Sequence, residues 1–251
     1  MRFISSFRYT EWTLKKKLFG YMLVMAVLIL LALIMGMLFF GRFDSTRQNI
    51  YETMDIQMDV FEKQVSTHFD HLAASGIQLS ENLTDLLEKY CEHEQLSFED
   101  FSNSESDILS LQNEMIVLLK QKLFQEDCSG IFVMLDATIN TNLANSEYSN
   151  TGLYLQRNGY ENYSKELLLY RGSAEIGKAH GLMPHRKWRL EFNKKLFPDY
   201  EIIRSNSFSS LEESYYFTTV ETLPGTSDKV MLLTVPMFGS DGKFYGICGY
   251  E

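Results

Sequence analysis

Five histidines and three cysteines are among the residues of this 251-residue chain that could bind a metal ion or act as nucleophiles. His68 and His71 are three positions apart, so on a helix they would lie about one turn apart on one face. Two imidazoles alone hold a metal weakly, and no further ligand cluster follows at suitable spacing. The sequence therefore predicts no metal site.

Hydrolytic chemistry has equally little support. His180 and His185 have no accompanying nucleophile and base, and the sequence contains no G-x-S-x-G, Walker-type phosphate loop or H-E-x-x-H motif. Cys91, Cys128 and Cys248 form no C-x-x-C pair, so they are either free buried thiols or include an extracellular Cys91–Cys128 disulfide. We predict no enzymatic activity, no catalytic residues and no cofactor.

The charge of the chain argues against contact with nucleic acid. The sequence has 23 Lys and Arg against 33 Asp and Glu. Five bases and one acid precede residue 18, which leaves 18 bases and 32 acids, a net charge of −14, in the remainder. Such a surface repels phosphate backbones, and we expect no direct nucleic-acid contact by this part of the chain.

Residues 18–40 form an uninterrupted apolar stretch without a charged residue. As a helix it would be about 34 Å long, enough to cross a hydrocarbon core of about 30 Å. A removable signal peptide is the alternative, but its apolar part is usually only about 7–15 residues long. The bulky Phe39 and Phe40 also make a poor cleavage site. We predict a retained transmembrane helix.

The residues on either side of this stretch predict its orientation. Arg2, Arg8 and Lys15–Lys17 precede it with a single acid, whereas acids dilute the bases that follow it. The positive-inside rule then places residues 1–17 in the cytoplasm as a short tail and residues 41–251 outside the cell membrane.

Residues 44–90 read as one long helix, with no proline and a single glycine. Apolar residues recur every seven positions and form a stripe, at Met58, Val65, Leu72, Leu79 and Leu86. Two interpretations are open: a coiled-coil stalk that pairs two subunits, or a helix packed along its own domain. We favour a stalk near the membrane that becomes a packed helix further out.

The rest of the chain predicts an α+β fold, with flanking helices and a mainly antiparallel sheet. A helix is expected at 106–125 and a buried strand at 130–138, followed by a strand at 152–157. The segment 166–170 fits a strand or a helical turn, and 186–197 is predicted to be a helix that Pro198 stops. Three strands are expected at the end, at 215–222, 230–236 and 244–251, joined by turns at Pro224-Gly225 and 239–242.

The closing segment KVMLLTVPMFGSDGKFYGICGYE, residues 229–251, resembles the final hairpin of extracellular Cache sensor domains. The segments GIFVMLDAT and LPGTSDKVMLLTVP are similar to the sensor regions of membrane-bound AraC-type transcriptional regulators of Firmicutes. The resemblance covers residues 130–251 in detail and 44–125 in layout. It implies a PAS-like sensor core at 130–251 behind the long helix, then a second anchor and an intracellular DNA-binding domain. The sequence given ends at Glu251 and contains neither of these.

The same resemblance implies a ligand site between the sheet and its covering segment. Amino-acid-binding members of the family hold a carboxylate with an Arg-x-Trp pair, which Arg186 and Trp188 match, and bind the amine with a late acid, here Glu251. The family's tyrosine after the tryptophan is Arg189 here. By position, three further residues are expected in the pocket, namely Tyr154, Arg171 and Tyr216. In the alternative interpretation, Trp188 packs into the core, Arg186 stays in solvent and Glu251 is a solvated chain end.

These expectations combine into a membrane-anchored receptor that binds a small molecule, an amino acid or another metabolite, and pairs as a homodimer. The resemblance favours an intracellular AraC-type DNA-binding domain as the output, and a histidine kinase, a cyclase or a chemoreceptor domain are the alternatives. A membrane-tethered adhesion module without a small ligand is the alternative from another class of protein.

Overall fold

The computed structural model of the protein describes residues 13–159, 166–197, 200–205, 214–224 and 226–251. Most of the predicted cytoplasmic tail lies outside these residues. So do Pro198, predicted to stop a helix, and Gly225, predicted to form part of a turn. The chain divides into two compact units, Met1–Ser66 and Thr67–Glu251. Helix α1, Leu14–Glu94, contributes residues to both.

The first unit contains the apolar part of α1. The most apolar 18-residue stretch within Leu14–Phe40 has a mean hydropathy of 3.0, and none of it is buried within the protein. This segment is therefore long and apolar enough to span a membrane, a property that signal sequences share. The residues that follow it keep several large apolar side chains exposed, among them Ile50, Met54, Met58 and Phe61.

A seven-stranded sheet forms the centre of the second unit, with strand order β5-β4-β3-β1-β11-β10-β7. Its strands are β1 (Gly130–Leu135), β3 (Gly152–Arg157), β4 (Leu167–Arg171), β5 (Met183–Arg189), β7 (Tyr216–Phe217), β10 (Leu233–Phe238) and β11 (Phe244–Tyr250). Two small ladders pair β2 (Ser149–Asn150) with β6 (Phe192–Asn193), and β8 (Glu221–Thr222) with β9 (Lys229–Val230). The fold is thus a mixed helix-and-sheet arrangement.

One strand pair makes the sheet mixed instead of wholly antiparallel. Strands β4 and β5 are parallel, whereas every other pair in the seven-stranded sheet is antiparallel. A parallel pair needs a crossover connection, and the short helix α3, Ala174–Ala179, lies between these two strands in the chain.

The two faces of the sheet carry different cores because successive strand residues point to opposite sides. On one face, Ile131 and Val133 of β1 belong to a cluster with Leu79 and Leu83 of α1 and with helix α2, Glu105–Gln125. On the other face, Phe132 belongs to an aromatic cluster that includes the short helix α4, Tyr200–Ser205. In the apolar stripe of α1, Leu72 and Leu79 are therefore buried, and Leu86 is half-buried.

Several predicted elements agree closely with the structure. Helix α2 and strand β3 begin and end within a residue of their predicted limits, and the ambiguous segment after residue 166 is a strand. The predicted helix at 186–197 is wrong. Its first part pairs with β4 as strand β5, and the rest contains β6 and a short 3₁₀ helix at Lys194–Leu196. Its bases and aromatics allow a helix, but pairing at the open edge of the sheet decides the outcome.

Candidate functional site

A cleft of about 1000 Å³ lies beside strand β5, which is at the edge of the sheet order. Two stretches of chain supply most of its walls, the loop around residues 140–149 and the segment at 186–196. Arg171, at the end of β4, and Pro224 complete the lining. The size is at the upper end of the range typical of small-molecule pockets.

Arg171 is the most buried charged group of the cleft, with a relative exposure of 7%. Its Nη1 donates hydrogen bonds to the backbone carbonyl oxygens of Tyr170 (2.7 Å) and Lys187 (3.2 Å), and its guanidinium lies 3.9 Å from the Tyr170 ring centroid. Burial lowers the pKa of Arg171, although a guanidinium remains charged in proteins. The interactions therefore fix the orientation of a permanent positive charge.

Strand β5 brings the predicted Arg-x-Trp pair to the same cleft. Trp188 is half-buried, and its Nε1 donates a hydrogen bond to the Gly172 carbonyl oxygen at 2.9 Å. Arg186 and Lys187 are exposed to solvent. Pairing of β5 with β4 places Arg189 opposite Arg171 in the strand register. The edge strand thus presents an indole and three bases beside the buried arginine.

The opposite end of the lining carries a further base held against an aromatic ring. Lys195 Nζ lies 3.3 Å from the centroid of the Tyr148 ring. The Asn193 side chain accepts a hydrogen bond from the Lys195 backbone N–H at 3.1 Å, which fixes the start of the 3₁₀ helix. A cation above an aromatic face is attracted by the ring quadrupole, so this lysine is oriented without a carboxylate.

Among the described residues that line the cleft, Glu191 is the single acid, and its carboxylate already accepts hydrogen bonds. Its carboxylate accepts from the Ile139 N–H at 2.8 Å, from the Thr138 hydroxyl at 3.1 Å and from the Ser149 hydroxyl. These bonds connect the segment after β5 to both ends of the loop that forms the other wall. Glu191 therefore holds the two walls together.

Removal of this carboxylate is expected to loosen the cleft. Glu191→Ala deletes the acceptor for three donors, and hydrogen bonds to charged groups are each worth about 1.5–3 kcal/mol when removed singly. We expect faster hydrogen exchange of the backbone amides at 138–149 and a lower melting temperature. Glu191→Gln keeps one acceptor oxygen, so its exchange rates and melting temperature should lie between those of the wild type and those of the alanine variant. Unchanged exchange at 138–149 in the alanine variant would contradict this role.

The electrostatic balance of the cleft is opposite to that of the protein. In the part of the chain that the structure describes, five bases line it against one acid, whereas the whole chain has a formal net charge of −10. No ion pair joins any of the five bases to a carboxylate within the described residues. Because like charges raise the energy of the empty site, a bound anion would relieve their repulsion.

The structure brings together three of the six predicted site residues, Arg171, Arg186 and Trp188. The other three lie elsewhere. Tyr216 is exposed on β7, at the other end of the sheet order from β5. Tyr154 is fully buried, and its hydroxyl donates to Glu251 Oε2 at 2.5 Å. Glu251 is therefore part of a separate polar cluster and does not line the cleft.

The sequence analysis missed the remaining charged lining residues, Lys187, Arg189, Glu191 and Lys195. A signal was present in the sequence: residues 186–195 contain five bases and one acid in an otherwise acidic chain. A helix would distribute these bases around its circumference, whereas the observed strand β5 and 3₁₀ helix place four of them around one opening, beside Arg171 of β4.

The cluster around Glu251 should influence stability through protonation. Burial, with a contribution from Asp228, raises the pKa of the Glu251 carboxyl despite hydrogen bonds from Tyr154 and Gln156. The folded chain then binds this proton more tightly than the unfolded chain. The group's favourable contribution is present below the unfolded pKa of about 4.3 and is lost as the pH rises through the folded pKa.

Glu251→Gln should therefore change the pH dependence of the melting temperature. The uncharged amide can still accept hydrogen bonds from Tyr154 and Gln156. We expect the variant to melt higher than the wild type at pH 8, with the advantage shrinking toward pH 4. Thermal melts between these two values measure the effect, and an advantage that grows on acidification would contradict the assignment.

Sites for other chemistry are scarce in the described parts of the chain. They contain no group of three or more His, Cys, Asp and Glu residues arranged to hold a metal ion. His71 is occupied beside Glu126, with 3.2 Å between Nδ1 and Oε2. The three cysteines are free thiols, and burial raises the pKa of each, to about 12 for Cys128.

Comparison with known proteins adds no relative to these observations. No protein-family model matches the chain, and no curated protein is similar to it.

Proposed function

We propose that this chain is the sensor region of a membrane-anchored receptor, and that the basic cleft binds a small molecule outside the cell. The observation that carries the proposal is the cleft itself. It combines the buried, oriented guanidinium of Arg171 with Arg186 and the half-buried indole of Trp188. Guanidinium groups bind carboxylates and phosphates, and an indole supplies an apolar wall.

The membrane part of the proposal rests on α1. Its apolar segment supports a single span in this chain, and the excess of bases before it supports a cytoplasmic N-terminus with residues 41–251 outside the cell membrane. In this proposal, residues 41–251 are a Cache-like sensor domain with its core at 130–251.

Helix α1 also supports a route for the signal. Ser80 donates a hydrogen bond to the Pro236 carbonyl oxygen on β10 at 2.6 Å, and the hydroxyls of Ser75 and Tyr250 on β11 are 2.9 Å apart. A ligand that favours one arrangement of the sheet would thereby bias α1, and pairing of two α1 helices in a homodimer would carry the change onward. We propose an AraC-type DNA-binding domain as the output. A histidine kinase, a cyclase or a chemoreceptor domain are the alternatives.

A second candidate, a membrane-tethered assembly module, is favoured by one specific observation. Apolar side chains of α1 that precede Ser66 are exposed, including Met58 at 65% and Phe61 at 62%. Exposed apolar surface marks contact sites on many proteins. In this alternative the helix binds another protein, and the cleft has no ligand.

A metabolite screen by thermal shift distinguishes these two functions. The full chain in detergent is melted with each compound of a broad library, because a ligand that binds only the folded state raises the melting temperature. The receptor proposal predicts at least one stabilising compound whose effect is lost in Arg186→Gln. If no compound stabilises the folded wild-type chain, the receptor proposal fails and the assembly module becomes the better account.

A further inference from the structure

We propose that the ligand of the cleft is a small molecule with two or more carboxylate or phosphate groups and no ammonium group. This inference rests on the proposed function, since it specifies the chemistry of the same site. It differs from the amino-acid ligand that the Arg-x-Trp pair suggests.

The first support is the state of Arg171. Arg171 is more than nine-tenths buried and lines the cleft. Its Nη1 donates to two backbone carbonyl oxygens, and its side-chain partner is the neutral Tyr170. None of the described carboxylates forms an ion pair with it. Burying a charge without a counter-ion is costly, so an anion from solution is the missing partner.

The second support is the number and placement of the other bases. Arg186, Lys187 and Arg189 belong to the strand wall, whereas Lys195 belongs to the 3₁₀ helix beyond it. One carboxylate can accept a bidentate pair from a single arginine, which leaves the remaining bases unneutralised. A ligand with several anionic groups satisfies more of them at once.

The third support is the lack of a partner for an amine. Glu191, the one acid among the described lining residues, already accepts from Thr138, Ile139 and Ser149. Glu251, the acid that the family resemblance offers for an amine, hydrogen bonds to Tyr154 and Gln156 away from the lining. An ammonium group would therefore enter a cationic cleft whose described lining residues offer it no carboxylate free to pair with it.

The size of the cleft fits the same class of ligand. Its volume of about 1000 Å³ is at the top of the range for small-molecule sites, which is larger than one short amino acid requires. Trp188 and Tyr148 supply rings against which the uncharged body of a larger anion can pack.

Isothermal titration calorimetry on the full chain in zwitterionic detergent tests the inference at a fixed 150 mM salt. The probes are citrate for carboxylates, pyrophosphate for phosphates, and glycine as the zwitterionic comparison. We expect citrate or pyrophosphate to bind at least tenfold more tightly than glycine. Which of the two binds tells whether carboxylate or phosphate groups are recognised.

Matched lysine variants connect the binding to the cleft. Lys195→Gln removes an exposed base that lines the site, and its neighbour Lys194 pairs instead with Glu201, 3.5 Å between Nζ and Oε1. We expect Lys195→Gln and Arg186→Gln each to weaken binding about fivefold or more, and Lys194→Gln to change it less than twofold. Because Arg186 and Lys195 are exposed, neither substitution should unfold the chain.

Three results would overturn the inference. These are no binding of either anion, tighter binding of glycine than of both anions, or anion affinity that is unchanged in both Arg186→Gln and Lys195→Gln. These results are distinguishable from failure of the proposed function. If the metabolite screen finds a neutral or zwitterionic ligand that depends on Arg186, the receptor proposal stands and only the anionic class is wrong. If the screen finds no ligand, both fail.

Discussion

Replacing Gly249 by alanine is expected to cost more than about 3 kcal/mol of folding free energy, a large part of the stability of an ordinary domain. Gly249 lies in β11, between β1 and β10. A Cβ atom at this position would overlap the backbone carbonyl oxygen of Leu233 on β10. In the β10–β11 ladder, Leu233 lies opposite Tyr250, the residue after Gly249. Backbone in a sheet cannot move aside as a side chain can, so β10 and β11 would have to separate.

Gly76→Ala is the matched control for this prediction. A Cβ atom at Gly76 would lie 2.8 Å from the Cδ2 methyl of the Leu233 side chain and 3.1 Å from Val235 Cγ2. Side-chain ends can shift, and alanine also favours the helix in which Gly76 lies by about 1 kcal/mol. Thermal melts followed by near-ultraviolet circular dichroism should therefore show a severe loss for Gly249→Ala and a small change for Gly76→Ala. Equal melting temperatures for the two variants would contradict the described packing of β10 against β11.

Leu83→Ala is expected to destabilise the second unit by about 3 kcal/mol, within the usual range for a buried leucine. Leu83 of α1 is fully buried in the cluster that joins the helices to the sheet. The substitution removes its contacts and leaves a cavity that the surrounding side chains fill only in part. A loss of this size would show that this part of α1 belongs to the core of the sheet-bearing unit.

Met58→Ala provides the comparison from the same helix. Met58 is 65% exposed and belongs to the first unit, so its truncation should cost less than about 0.5 kcal/mol. Chemical denaturation of the full chain, followed by tryptophan fluorescence from Trp188, measures both variants. A loss at Met58 as large as that at Leu83 would mean that the earlier part of α1 also packs against a partner, such as a second copy of the chain.

The elements that local periodicity defines could be predicted from the sequence. Helix α2 follows from the spacing of Ile108, Leu111, Met115 and Leu123, all of which are buried. Strand β1 follows from its unbroken apolar run, because both faces of the sheet are covered and every residue of the strand is buried. These patterns depend on neighbours in the chain, which the sequence displays directly.

Elements that depend on distant pairing were harder to predict. Strand β5 forms because β4 offers an open edge, and nothing within residues 183–189 specifies that partner. The same limitation affects the site. Tyr154 of β3 and Glu251, which follows β11, contact each other across the intervening strand β1, and Tyr216 lies at the far end of the sheet order from Arg186. Residue types indicated an anion-binding group, but only the fold determines which of them share an opening.

Labelling of Leu143→Cys tests the central claim, a ligand-binding cleft that faces the outside, most directly. Leu143 lines the cleft and is 62% exposed. The account predicts that a membrane-impermeant maleimide modifies this cysteine in sealed spheroplasts and that citrate or pyrophosphate slows the reaction. The wild-type chain measures the background from Cys91, and Asp241→Cys, in a turn outside the cleft, should react without protection. Modification of Leu143→Cys only after lysis of the spheroplasts would contradict the account.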